Sequence, residues 1–263
     1  MKAKNILLLS ASFLLLASCG ETQAPEITIE EAQTISKNAK AKYEADEVTV
    51  PSDFWMKSVV AATTAEDGTQ GVSVEITNAL SQKYFHLKME AEGVEEASSM
   101  EQYVYVKDGT FVVAAAIGEE KAYQEISVGA DVLFEQTIAE YQTQFNGEEL
   151  AASFMDSLAE TVDALIGMMP AEVEGELSYP EGMTSWAATC RSSGEGNLSV
   201  EASIQGNIDG VAFDSSLSLA IDNYLPQRLA SSETYGEESA TTSLEFAWGN
   251  VDLVYPNAAD FQA

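Results

Sequence analysis

Few residue types in this chain could do chemistry. It has one histidine, two cysteines and 43 acids. A Ser-His-carboxylate set would have to use His86. That residue alternates with Phe85 and Leu87 in company with Tyr84 and Lys88, so a solvated surface histidine is expected. The sequence contains neither a G-x-S-x-G elbow nor an S-x-x-K arrangement. Cys190 falls in step with Trp186 and Ala188, which reads as a small buried apolar residue rather than a reactive thiol. Zinc and copper sites need clustered His and Cys, which the sequence lacks. Glu66-Asp67-Gly68 and Asp209-Gly210 lack the ligand spacing of a calcium loop. With 43 acids, chance carboxylate pairs are guaranteed, so pairing carries no glycosidase signal. The expectation is a protein that is not an enzyme and uses no cofactor or metal.

Cys19 is placed differently. Lys2 and Lys4 precede an apolar run from Ile6 to Leu16, followed by Leu16-Ala17-Ser18-Cys19. This layout resembles a bacterial lipoprotein export signal. The resemblance implies cleavage after Ser18 and diacylation of the Cys19 sulfur. The apolar run of about 11 to 13 residues is short of the roughly 20 that cross a bilayer. Two acyl chains suffice for stable anchoring. Residues 1–18 are thus expected to be a signal peptide, 19–27 a lipidated tether and 28–263 a single domain. The expected location is extracytoplasmic, lipid-anchored to the cell membrane or outer membrane through Cys19.

The formal net charge is −31. Such a surface repels nucleic acid and anionic head groups, so no nucleic-acid partner is expected. A hydrophobic share of 46% is ordinary for a globular protein and puts the acids on the surface of a folded domain. With Cys19 lipidated, Cys190 has no intrachain partner, and stability must come from packing.

Several elements are legible. Thr28-Ile29-Glu30-Glu31 has capping-box spacing, and Ile29, Ala32, Ile35 and Ala39 continue it as a helix over about 29–44. From Asp53 the apolar period shortens to 2. Phe54, Met56, Ser58 and Val60 begin a series of about six antiparallel strands, with hairpin signals at Asp67-Gly68 and Asp108-Gly109. A helical interval spans about 131–169, broken near Asn146-Gly147. Its second part carries the stripe Leu150, Phe154, Leu158, Val162, Ile166 and Met169, with Glu148, Glu149, Asp156 and Glu160 behind it. Pro170 ends it. Strands resume beyond Pro180: Leu198, Val200, Ala202 and Ile204 form one dry face, Phe213, Leu217 and Leu219 another, and Leu244, Phe246 and Trp248 a third. Gly249-Asn250 should turn the chain into a last strand through Val251, Leu253 and Tyr255. The fold class is α+β: a strongly curled antiparallel sheet of about 11 strands, a half-barrel covered by an N-terminal helix and a central helical insertion.

This order of elements resembles the LolA/LolB-like half-barrel proteins, including the LppX and LprG type of lipoprotein. The most specific residues are Asp222, then Leu225-Pro226-Gln227-Arg228-Leu229, and the closing Tyr255-Pro256. The resemblance implies a hydrophobic cavity between sheet and helices that holds an acyl chain or a lipid. The residues expected to line it are Phe54, Met56, Phe85, Leu87, Met89, Leu150, Phe154, Leu158, Phe213, Leu219, Phe246 and Trp248. The expected function is binding of a lipid or acyl chain for transport or presentation. The alternative is an envelope scaffold or sensor of the same fold that binds another envelope protein and has no ligand cavity.

Overall fold

The computed structural model describes residues 24–262 apart from 64–71, 82, 94–97, 143–145 and 250. The export signal, Cys19 and the Asp67-Gly68 turn lie outside the described residues. The elements in chain order are β1 (Glu26–Ile27), α1 (Ile29–Glu44), β2 (Phe54–Thr63), β3 (Val72–Ser81), β4 (Tyr84–Glu92), β5 (Ser98–Lys107), β6 (Thr110–Ile117) and β7 (Glu120–Ile126). Then come α2 (Ala130–Gln142), α3 (Gly147–Gly167), β8 (Ala171–Val173), β9 (Glu176–Ser178), β10 (Met183–Gly194), β11 (Asn197–Ile208), β12 (Val211–Asp222), β13 (Leu225–Tyr235) and β14 (Glu238–Trp248).

Twelve strands form one sheet in the order β1-β10-β11-β12-β13-β14-β2-β3-β4-β5-β6-β7, every neighbouring pair antiparallel. Two meanders, β2 to β7 and β10 to β14, are joined where β14 pairs with β2. Strand pairs twist by about 20–25° each, so a sheet this wide must curl. It stays open, because β1 and β7 are the edges. The chain therefore has to return from β7 at one edge to β10 near the other. It crosses one face of the sheet as α2 and α3, and this topological demand makes the helices a cover.

The helices have local causes. Thr28 and Glu31 make a reciprocal capping box at the start of α1. The Asn146 side chain accepts from the Glu148 and Glu149 amides and starts α3. Met168 caps α3 before Pro170, which cannot continue it. The two helices lie antiparallel: Gln33 Nε2 donates to Asp163 Oδ1 at 2.7 Å, Lys37 pairs with Asp163 at 3.0 Å, and Lys40 with Asp156 at 2.9 Å. Ala32, Ser36 and Ala39 of α1 and Ala151 of α3 are fully buried.

Three expectations are corrected. The fold begins before residue 28: Glu26 and Ile27 pair with Arg191 and Cys190, because the edge of β10 would otherwise stand open. A small exposed hairpin, β8–β9, follows α3 where no strand was expected. The segment after Gly249 is not a closing strand. Both edges of β14 are already occupied by β13 and β2, so the chain has no ladder to join. It runs over the outer face of the sheet instead, where Val251, Leu253 and Phe261 pack with Tyr84, Tyr103, Tyr105, Val112 and Ala114 in a second apolar core. Tyr84 Oη donates to the Val254 carbonyl and holds this strap in place. All described strands and helices, and both cores, lie between Glu26 and Phe261.

Candidate functional site

Register across the central strands divides the helix-covered face into rows. Trp248 stands opposite Phe54, Phe54 opposite Leu80, Leu80 opposite Phe85, and Phe85 opposite Val104. Phe54, Phe85 and Val104 in this row are fully buried, and Trp248 Nε1 donates to the Pro226 carbonyl at 2.6 Å. The row is solid core. Two residues further along each strand Phe246 faces Met56 across β14 and β2, and Leu87 faces Gln102 across β4 and β5, so Phe246 is the one aromatic among these four. The next row is continuous over six strands, with Leu229, Leu244, Ser58, Ile76, Met89 and Met100 as successive opposite partners. In the row beyond, Thr242, Val60 and Val74 are successive partners, and Val60 is 46% exposed.

Side chains thus shrink from the buried row towards the open end of the sheet, while the helices span the same face. The difference leaves a cavity of about 670 Å³ lined by the Met/Leu rows below and by Tyr141 of α2 and Leu150, Ser153, Phe154 and Ser157 of α3 above. It is a groove open to solvent on one side, with a mainly apolar lining. Its wall carries hydroxyl and amide groups but no charged side chain. Tyr141 donates to Gln102 Oε1 at 2.9 Å while its ring stacks on Phe85 at 4.4 Å. Phe154 meets Phe246 edge-on at 5.9 Å, and Phe246 stacks on Trp248 at 5.8 Å. On α3, Ser153 and Ser157 are exposed at the cavity while Phe154 and Leu158 are buried. Leucines at 153 and 157 would fill the space.

Of the twelve residues expected to line a cavity, six do: Met56, Leu87, Met89, Leu150, Phe154 and Phe246. The other six are placed elsewhere. Phe54, Phe85 and Trp248 belong to the solid row, and Leu158 and Leu219 are buried in the main core. Phe213 lies at the far end of β12, its ring over Gly206, where an added Cβ would come within 2.4 Å of it. The lining residues missed by sequence reasoning are Ser58, Ile76, Met100, Gln102, Tyr141, Ser153, Ser157, Leu229 and Leu244. Ile76 and Leu244 share the period-2 signal of the residues chosen. The serines carry no apolar signal at all.

His86 is not the solvated residue expected. Its side chain is only 13% exposed, stacks on Tyr103 at 4.1 Å and reaches Glu101 at 3.1 Å, on the outer face of the sheet and away from the cavity. The strap explains the difference, since Phe261 meets Tyr103 edge-on and dries the patch. Burial lowers the His86 pKa, opposed by Glu101. Cys190 is buried, and burial raises its thiol pKa. Among the described residues, no cluster of three or more His, Cys, Asp or Glu is placed to hold a metal, and no helix is long and apolar enough to cross a membrane.

No protein-family model matches the chain, and no curated protein does. Among solved structures the chain is similar to a DUF1329 family protein from Desulfovibrio piger, with 9% identity, 89% of this chain and 99% of that chain covered, and a TM-score of 0.21.

Proposed function

We propose that this protein is a lipid-anchored, extracytoplasmic lipoprotein that binds a lipid or acyl chain in the cavity under α3 and carries or presents it near the membrane. The observation that supports this reading most is the uncharged, Met- and Leu-rich groove between the curled sheet and its helical cover. Such a site removes hydrocarbon from water at about 0.8 kcal/mol per methylene and needs no covalent step. Methionines at 56, 89 and 100 suit the task, because flexible thioether side chains repack around a mobile chain. The LolA/LolB-like resemblance and the export signal before Cys19 point the same way. The test is organic extraction and mass spectrometry of the protein purified from bacteria. Lipid recovered in molar proportion to protein, and lost in Ser157→Trp, is the expected result. Lipid-free protein that takes up no added fatty acid or phospholipid refutes the proposal.

A further inference from the structure

The groove runs across the strands. Leu229, Leu244, Ser58, Ile76, Met89 and Met100 are consecutive partners over six neighbouring strands. Five spacings of about 4.8 Å give a length of about 24 Å. Spreading the cavity volume of about 670 Å³ over that length leaves a mean cross-section of about 28 Å². A methylene group, about the size of a water molecule, takes about 30 Å³. An extended chain advances about 1.2 Å per bond, so one hydrocarbon chain needs about 25 Å². Length and volume each then accommodate about 20 carbons in single file. A groove for two parallel chains would need twice this volume at the same length.

Charge narrows the head group. The polar groups on the wall are the hydroxyls of Ser58, Ser153, Ser157 and Tyr141 and the Gln102 amide. No lysine, arginine or histidine is among the lining residues. The α1 lysines nearest to α3, Lys37 and Lys40, are engaged by Asp163 and Asp156. A carboxylate or phosphodiester seated here would have no cation to pair with and would face a chain of net charge −31.

Resting on the hydrophobic-ligand reading above, we infer that the groove takes one acyl chain of an uncharged, single-chain amphiphile whose hydroxyl or ester head meets the α3 serines. The covered volume matches one chain rather than two, and anionic head groups, phosphodiester or carboxylate, are disfavoured by charge.

The test is native mass spectrometry of the purified protein titrated at neutral pH with monooleoylglycerol, oleate and dioleoylphosphatidylglycerol. The expected result is one monooleoylglycerol per chain, oleate at least about tenfold weaker (about 1.4 kcal/mol), and no stoichiometric phospholipid. Ser157→Trp and Ser153→Leu, both at exposed positions, should each abolish the adduct without lowering the melting temperature. A stoichiometric phospholipid adduct, or two monooleoylglycerols per chain, overturns the single-chain assignment. Oleate binding as tightly as monooleoylglycerol overturns the head-group assignment; both results leave the hydrophobic-ligand reading standing. Adducts that survive in folded variants of both serines overturn the site. Failure of all three lipids to bind overturns the underlying reading together with this one.

Discussion

Tyr141 of α2 donates its hydroxyl to Gln102 Oε1 of β5 at 2.9 Å, tying the helical cover to the floor of the groove at one end of the cavity. The Tyr141 ring lies on Phe85, so removing the hydroxyl leaves the packing in place. Tyr141→Phe should therefore cost only about 0.5–1.5 kcal/mol in urea unfolding. It should also speed hydrogen exchange in α2 selectively. A loss above about 3 kcal/mol, far outside the range of one net hydrogen bond, would show that the contact holds more than the lid.

The two rows of the sheet should respond differently to truncation. Phe54 is fully buried in the solid row, and Phe54→Ala should cost about 3–5 kcal/mol. Leu244 borders the existing void, where the removed atoms leave fewer contacts behind, and Leu244→Ala should cost less than about 2 kcal/mol. Equal losses in denaturant titrations would mean that the groove is closed in solution.

His86 should make stability pH-dependent. Its folded pKa is lowered below the ordinary 6.5 by burial, with Lys88 adding to the effect and Glu101 opposing it. The folded state therefore binds the proton less readily than the unfolded chain. The contribution is fully present above about pH 6.5 and declines as the pH falls below that value through the folded pKa. Subtracting the pH profile of His86→Gln from that of the parent protein should isolate this decline. A flat difference between pH 7.5 and 5 would contradict it.

The strap over the outer face can be tested by ending the chain after Trp248. That deletion uncovers Tyr84, Tyr103 and Tyr105, removing Phe261 and the Val254 carbonyl to which Tyr84 donates. The melting temperature should fall and binding of a hydrophobic dye should rise, with His86 titrating closer to its ordinary range by NMR. An unchanged dye signal would mean that the patch is covered some other way.

Local signals in the sequence were sufficient for much of this fold. Capping chemistry at Thr28 and Asn146, Pro170 after α3, and Asp-Gly at 108–109 and 209–210 are short-range devices, and each works where it stands. Period-2 alternation likewise assigned Met56, Leu87, Met89 and Phe246 to the covered face. The strap after Gly249 was misread as a strand because its alternation is genuine. What the alternation cannot encode is that β14 has no free edge.

The sequence by itself determined which side chains face the helices, since that follows from a two-residue period within one strand. Only the tertiary structure decided that Phe54, Phe85 and Trp248 fill a solid row while Ser58, Ile76, Met100 and Leu229 line a groove. The distinction depends on register between strands whose paired residues lie as far apart in sequence as Phe54 and Trp248, and on where α2 and α3 cross the sheet. Serines 153 and 157 matter for the same reason, because an absent side chain becomes a space only when its neighbours across the fold leave it unfilled.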